Sequence, residues 1–257
     1  MKSGKIEVRH TLKRKNILEQ NTAYYDREAA VYDVNRYGAR AGKRAEKFHK
    51  KILDRLLLEE LKPNAKILEL GCGTGRLLEY IASKPFALYG IDMSSGMLDI
   101  ARKRFSKNSN GNVLLSIGEA SCLDFSSEFF DAVYAILVIN LIPNYQQVFD
   151  EIARALKPGG LFIFNVPNLA GIYLLGGLYV NLRGQTVTAN EAGHRYSHWF
   201  LPHEWKNGLN NAGFVVEQVL GQPPHFRLVD DSTPLRASGW GLPLSKSIYI
   251  KARLKYD

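Results

Sequence analysis

The run Ile67-Leu68-Glu69-Leu70-Gly71-Cys72-Gly73-Thr74-Gly75-Arg76-Leu77-Leu78 constrains this chain more than any other stretch. An apolar strand ends in an acid, three alternate glycines follow, and an apolar helix begins. Glycines so placed let the backbone turn tightly and approach a ligand with no Cβ in the way. The free N–H groups and positive end of the following helix then face that ligand. A dinucleotide fingerprint G-x-G-x-x-G/A requires a small residue at position 76, and Arg76 stands there. The other reading at this point is an ordinary strand–helix turn.

The surrounding pattern supports a nucleotide-type crevice. From residue 65 the chain reads as strand 65–70, helix 75–83, strand 86–91, helix 95–107, strand 112–117, strand 130–138, helix 145–156 and strand 160–166. That alternation predicts a mostly parallel sheet with helices on both faces. Pro158-Gly159-Gly160 marks a turn before the last of these strands. Leu88-Tyr89-Gly90-Ile91-Asp92-Met93-Ser94 places a carboxylate at the end of the second strand, 17 residues after Gly75. A carboxylate there can accept both hydroxyls of a ribose. Its alternative role is to cap the next helix, although Ser94 suits that position better.

Three further segments extend the pattern. Ser116-Ile117-Gly118-Glu119-Ala120-Ser121-Cys122-Leu123-Asp124-Phe125 follows the third strand. Phe129-Phe130-Asp131-Ala132-Val133-Tyr134-Ala135-Ile136 forms the fourth, and Ala155-Leu156-Lys157-Pro158-Gly159-Gly160 closes the next helix. Taken in order with Glu69-x-Gly-x-Gly-x-Gly, these segments resemble the motifs of the class I S-adenosylmethionine (SAM)-dependent methyltransferases. The likeness is to the small-molecule, type 11 (UbiE-like) branch. It covers residues 65–166 and implies a Rossmann-like, seven-stranded, mostly parallel sheet with a reversed last strand. The two final strands expected near 214–220 and 246–254 fit that closure.

The resemblance also implies site residues. Gly71, Cys72, Gly73 and Gly75 form the cofactor turn, Glu69 holds the cofactor's ammonium, and Asp92 with Met93 meets the ribose. Glu119 replaces the family's aspartate for the adenine amino group, Ala120 offers its N–H to the ring, and Ile136 passes beneath the methionine end. Tyr32, in the pair Tyr32-Asp33, resembles a residue that many members place over the cofactor carboxylate. Arg36 is a candidate for the same group. An exposed helix face is the competing reading for Tyr32, Asp33 and Arg36. Thr74 and Cys72 are read as passive turn residues. The expected product is S-adenosylhomocysteine.

Composition narrows the class. A chain of 257 residues with 46% apolar and 23% charged residues is globular rather than disordered. Two cysteines make neither a disulfide framework nor a metal cluster, so no metal is expected. Lys2, Lys5 and Arg9 lead into no apolar core, so no signal peptide is read, and the cytoplasm is the expected location. The apolar run 169–180 is 12 residues long, against roughly 20 for a spanning helix. It reads as part of an inserted lid near 168–201.

The formal net charge of +9 is uneven. Residues 1–62 hold 16 Lys+Arg against 9 Asp+Glu, whereas residues 63–165 hold 9 against 10. Ala41, Ala45, Phe48, Ile52, Leu56 and Leu57 recur at helical spacing, predicting an amphipathic helix over 39–61. Its polar side carries Arg40, Lys43, Arg44, Lys47, Lys50, Lys51 and Arg55. Such a face is either simply solvated or draws an anionic substrate, a peripheral membrane surface or RNA. A short helix is expected over Tyr24–Val34, with residues 1–20 loosely docked. The predicted organisation is therefore an N-terminal helical cap over 1–62 and a SAM-binding domain over 63–257.

His194, His198 and His203 fall in ten residues of the segment where the family's members vary with substrate. One of them as a general base, structural histidines, and a metal site are the three readings, the last lacking a carboxylate partner at helical spacing. No Asp/Asn-Pro-Pro-Tyr/Phe motif follows the fourth strand, which argues against base-amine methylation of nucleic acid. The expected function is methyl transfer to a small-molecule O, N or C acceptor, with an amphipathic or acidic one suiting the apolar lid and basic helix. An RNA-modifying enzyme and a non-catalytic SAM-binding protein are the alternatives.

Overall fold

Between Lys66 and Pro167 short apolar runs are each closed by a polar or glycine break, and the chain accordingly alternates strand and helix. The computed structural model describes residues 2–106, 112–168, 197–198, 200–222, 235–236, 245 and 247–256. Among these residues eight strands are present: β1 (Lys66–Leu70), β2 (Ala87–Asp92), β3 (Val113–Ile117), β4 (Phe130–Ala135), β5 (Leu156–Pro167), β6 (Phe214–Gln222), β7 (Leu235–Arg236) and β8 (Ser247–Leu254). The helices are α1 (Lys2–Tyr37), α2 (Arg40–Leu53), α3 (Arg76–Ile81), α4 (Ser95–Ser106), α5 (Tyr145–Ala155) and α6 (Pro202–Asn211).

The strands lie in one sheet in the order β3-β2-β1-β4-β5-β8-β6-β7. β1 to β5 pair in parallel, and β8 inserts antiparallel between β5 and β6. This is the Rossmann-like sheet with a reversed last strand that the motifs predict. It gains a two-residue edge strand, β7, too short for any sequence period to reveal. The switch in strand order falls between β1 and β4, so the carboxyl ends of β1 and β2 open a crevice there.

Alternation along the strands divides the core. Leu68, Val133, Phe162 and Ile250 face α5 and α6, while their neighbours Ile67, Ala132, Ile163 and Tyr249 face α2, α3 and α4. Burying both faces is what parallel strands require. No helix among the described residues is long and apolar enough to cross a membrane.

Three expectations change. Residues 2–37 form a single helix rather than a loose tail and a short helix, because no glycine or proline interrupts Lys5–Tyr37. β4 stops at Ala135 instead of 138: Leu137 has φ +64°, and its N–H donates to Asn165 Oδ1 at 2.6 Å, drawing the chain off the ladder. β5 begins at Leu156, ahead of the glycine turn. Leu156 pairs with Phe130 and Leu161 with Ala132, so Pro158-Gly159-Gly160 is a bulge within the strand, with Gly159 at φ +74°. The apolar run 169–180 and most of the 168–201 insert lie outside the described residues.

Candidate functional site

The crevice is built first from backbone. Gly71, Gly73 and Gly75 have φ of +61°, +53° and +77°, a left-handed region that disfavours side chains. At Gly71 a Cβ would stand 2.5 Å from Val138 Cγ2, whereas at Gly73 it would meet nothing within 4 Å. Gly73 therefore forms an open floor, and Gly71 lets β1 close against the turn after β4. Gly75 is the N-cap of α3 and does not line the crevice itself.

Carboxylates complete that floor. Asp92 Oδ2 accepts from Gly73 N at 2.8 Å, and Oδ1 accepts from Ser94 N at 2.9 Å. Burial raises the Asp92 carboxyl above its usual range, against the pull of those two N–H donors. Glu69, 4% exposed, accepts the Tyr134 hydroxyl at 2.9 Å. Burial pushes Glu69 well above the ordinary carboxylate range, and nearby Asp92 adds to the rise. Glu119 at the end of β3 accepts the Ser121 hydroxyl. Burial likewise raises the Cys72 thiol, so it is not a ready nucleophile.

Together these groups line a crevice of about 1120 Å³, including its mouth. Glu69, Gly71, Cys72, Gly73, Asp92 and Met93 lie along one side, Glu119, Ala120 and Ile136 along another, and Tyr32 reaches in from α1. Three carboxylates on one floor suit a ligand that carries positive charge, hydroxyls and N–H donors.

α1 roofs the crevice through contacts at three strand ends. Asp33 accepts Thr74 Oγ1 at 2.7 Å and pairs with Arg76 and Arg104 beside the glycine turn. Asp26 Oδ1 accepts Ser94 Oγ at 2.6 Å and Gly96 N at 3.0 Å beyond β2. Asn21 Nδ2 donates to Leu141 O at 3.1 Å in the turn after β4. Arg76 also pairs with Glu46 of α2 and lays its guanidinium 4.6 Å over the Tyr37 ring. Thr74 is thus a contact to the roof rather than a passive turn residue.

Not every expected residue joins the site. Arg36 is exposed and does not line the crevice; Tyr37 and Arg76 occupy that end. His198 packs against Phe200 and Tyr145, its ring 3.2 Å from Glu204 Oε1, and its backbone N–H donates to Asn140 O at 2.6 Å. His203 is exposed on α6. Neither lines the crevice, because the aromatic pocket beside α5 and the outer face of α6 hold them away. His194 lies outside the described residues. Among those residues, no group of three or more histidine, cysteine or acidic side chains could hold a metal ion.

Leu18, Asn21, Thr22 and Tyr25 of α1 line the crevice without having been anticipated. Their spacing with Ala29 and Tyr32 is a helical face, a signal concealed by reading residues 1–20 as a loose tail.

Comparison with known proteins fits this geometry. Residues 68–164 match a family described as a methyltransferase domain. Demethylmenaquinone methyltransferase of Symbiobacterium thermophilum is 32% identical over 143 residues, 54% of this chain and 55% of that protein. Phosphoethanolamine N-methyltransferase 2 of Caenorhabditis elegans is 35% identical over 171 residues, 65% of this chain but 36% of that one. The chain spans about a third to just over half of the length of these curated relatives. Among solved structures, a SAM-dependent methyltransferase of Thermotoga maritima, described as a possible histamine N-methyltransferase, superposes with TM-score 0.63 at 18% identity. That match covers 93% of this chain and 100% of the other. The CcbJ methyltransferase of Streptomyces caelestis gives 0.66 at 20%, covering 92% and 99%.

Proposed function

We propose that this chain, whose residues 68–164 match a methyltransferase domain family, transfers the methyl group of SAM to a small-molecule acceptor in the crevice beneath α1. The observation that carries the reading is the Asp92 carboxylate. Its two oxygens are fixed by Gly73 N and Ser94 N, and each keeps a lone pair for a ribose hydroxyl.

The remaining residues take roles consistent with their positions. Glu119 accepts the adenine amino group, and the Ala120 N–H meets a ring nitrogen. Glu69, unfavourably buried as an anion, gains a partner in the ammonium group; Tyr32 lies over the carboxylate. The open floor at Gly73 admits the nucleoside where any side chain would intrude. Arg36, on the exposed side of α1, has no part in this arrangement. When bound, SAM supplies a methyl group already activated by its sulfonium. The protein's work is to align the acceptor atom with that methyl and keep water out, which can supply roughly 7–11 kcal/mol.

Leu18, Tyr25, Leu141 and Ile142 line the crevice with the polar tips of Asn21 and Thr22 among them. That mixture favours an amphipathic acceptor. Residues 1–62 act as the cap of this site through α1. His194 is the histidine left to serve as a base, with His198 and His203 as internal controls.

Calorimetry with SAM on Asp92→Ala is the test. Losing two charge-assisted hydrogen bonds should weaken affinity on the order of 10²-fold, with the circular dichroism spectrum unchanged. Unaltered affinity would refute the ribose assignment. Alanine variants of His194, His198 and His203 that all turn over normally at saturating SAM would remove the base.

A further inference from the structure

β1 and β4 set a glutamate and a tyrosine side by side. Glu69 and Tyr134 are partners in the parallel register of the two strands, so both side chains leave the same face of the sheet. Tyr134 is fully buried and belongs to the apolar cluster that includes Ile67, Leu78, Ala132 and Ile136. Its hydroxyl donates to Glu69 Oε2 at 2.9 Å. Glu69 lines the crevice, whereas Tyr134 does not.

A buried tyrosine on this face does not gain such a partner by default. Tyr249 of β8 is buried in the same cluster, and its hydroxyl has no hydrogen-bond partner among the described residues. The Tyr134 hydroxyl instead meets a carboxylate held where an anion is costly. Burial and Asp92 both act against the Glu69 anion, while the Tyr134 hydroxyl and the Leu78 N–H act for it.

We propose that Tyr134 is a positioning residue whose hydroxyl holds the Glu69 carboxylate toward the crevice, so that the site selects a nucleoside with a cationic tail over the bare nucleoside. The inference rests on the reading of the crevice as a SAM site and adds the group that prepares Glu69 from behind. Tyr134 stands one side chain back from the ligand and acts only through the carboxylate, by a bond that ionisation strengthens.

Calorimetry with SAM and with methylthioadenosine, which keeps the adenosine and lacks the amino-acid tail, is the test. Tyr134→Phe should weaken SAM binding on the order of 10-fold, the loss of one hydrogen bond to a charged group. Methylthioadenosine affinity should stay at the wild-type value, which also reports that the fold is intact. Glu69→Gln should cost SAM on the order of 100-fold with the same sparing of methylthioadenosine. The double variant should lose no more than Glu69→Gln alone, because the hydroxyl has no other route to the ligand.

A pH series supplies a readout that packing alone would not move. The titratable groups facing Glu69 are Tyr134 of β4, Asp92 of β2, Cys72 of the glycine turn and Tyr37 of α1. SAM should bind more tightly as pH rises and Glu69 ionises. In Tyr134→Phe that rise should move to higher pH, since a donor to the anion is gone. Asp92 serves both ligands, so the methylthioadenosine profile isolates its share. Equal losses for the two ligands, losses that add in the double variant, or an unmoved SAM profile overturn the role of Tyr134 and leave the SAM site standing. Wild-type protein that takes up neither ligand removes the SAM reading, and this inference with it.

Discussion

The glycine-turn side of the crevice and its helical roof are assembled in different ways. The floor is made by neighbours: Glu69, Gly71 and Gly73 lie within five residues, and Asp92 reaches back to Gly73 over 19. The roof is made by distant partners, with Asp33 to Thr74 separated by 41 residues and Asn21 to Leu141 by 120. Floor geometry is thus fixed by backbone sterics, whereas roof geometry depends on side-chain contacts that can be removed one at a time. Damage to the floor should abolish binding; damage to the roof should loosen it.

The largest effect is expected from Gly71→Val. A left-handed φ and a Cβ 2.5 Å from Val138 Cγ2 combine backbone strain with overpacking. Together these are worth about 4 kcal/mol, or on the order of 10³-fold in SAM affinity by calorimetry. Binding retained within tenfold would show that the floor is softer than its geometry implies.

The seam between α2 and the sheet titrates. Burial holds the His49 imidazole down at about 4, with Arg36 adding to the fall, and its ring lies 6.0 Å from Tyr249. Below the ordinary histidine value of 6.5 the unfolded chain takes up a proton that the folded chain refuses. Stability contributed by neutral His49 is therefore complete above pH 6.5 and lost as pH falls towards 4, about 3 kcal/mol in all. Denaturant melts of wild type and His49→Leu, compared at several pH values, should differ in slope across that window. Parallel curves would remove the histidine from the account.

Asp33→Ala comes next. It deprives Thr74, Arg76 and Arg104 of a shared acceptor that is 26% exposed, a loss of about 1–2 kcal/mol after solvent screening. Limited proteolysis within α1 should quicken about tenfold while the midpoint of sheet melting stays put. Asn21→Ala, which removes one hydrogen bond, should cost about 1 kcal/mol and raise the acceptor KM a few-fold at unchanged SAM affinity. An equal fall in SAM affinity would place Asn21 over the nucleotide rather than the acceptor.

The same division explains what could be read from the amino acids alone. Strands β1 to β5, the reversed β8 and the crevice floor follow from local periods and closely spaced residues. The continuous α1 is not legible in the sequence, because its polar composition conceals a crevice-facing stripe of Leu18, Asn21, Thr22 and Tyr25. Arg36 has the right helical spacing from Tyr32, but the helix outruns the crevice there. Arg76, next to the last glycine, lines that end instead. His198 illustrates the reverse error: a residue of suitable chemistry in a suitable segment, absorbed by an aromatic pocket that only the folded chain creates.

α1 is one uninterrupted rod, pinned over β1, β2 and β4 together. A stiff beam with three anchors lifts as a whole or not at all, so on the function proposed above nucleotide and acceptor share one doorway. Spent nucleotide should then leave in a single kinetic phase, and fresh nucleotide should enter before the molecule to be modified.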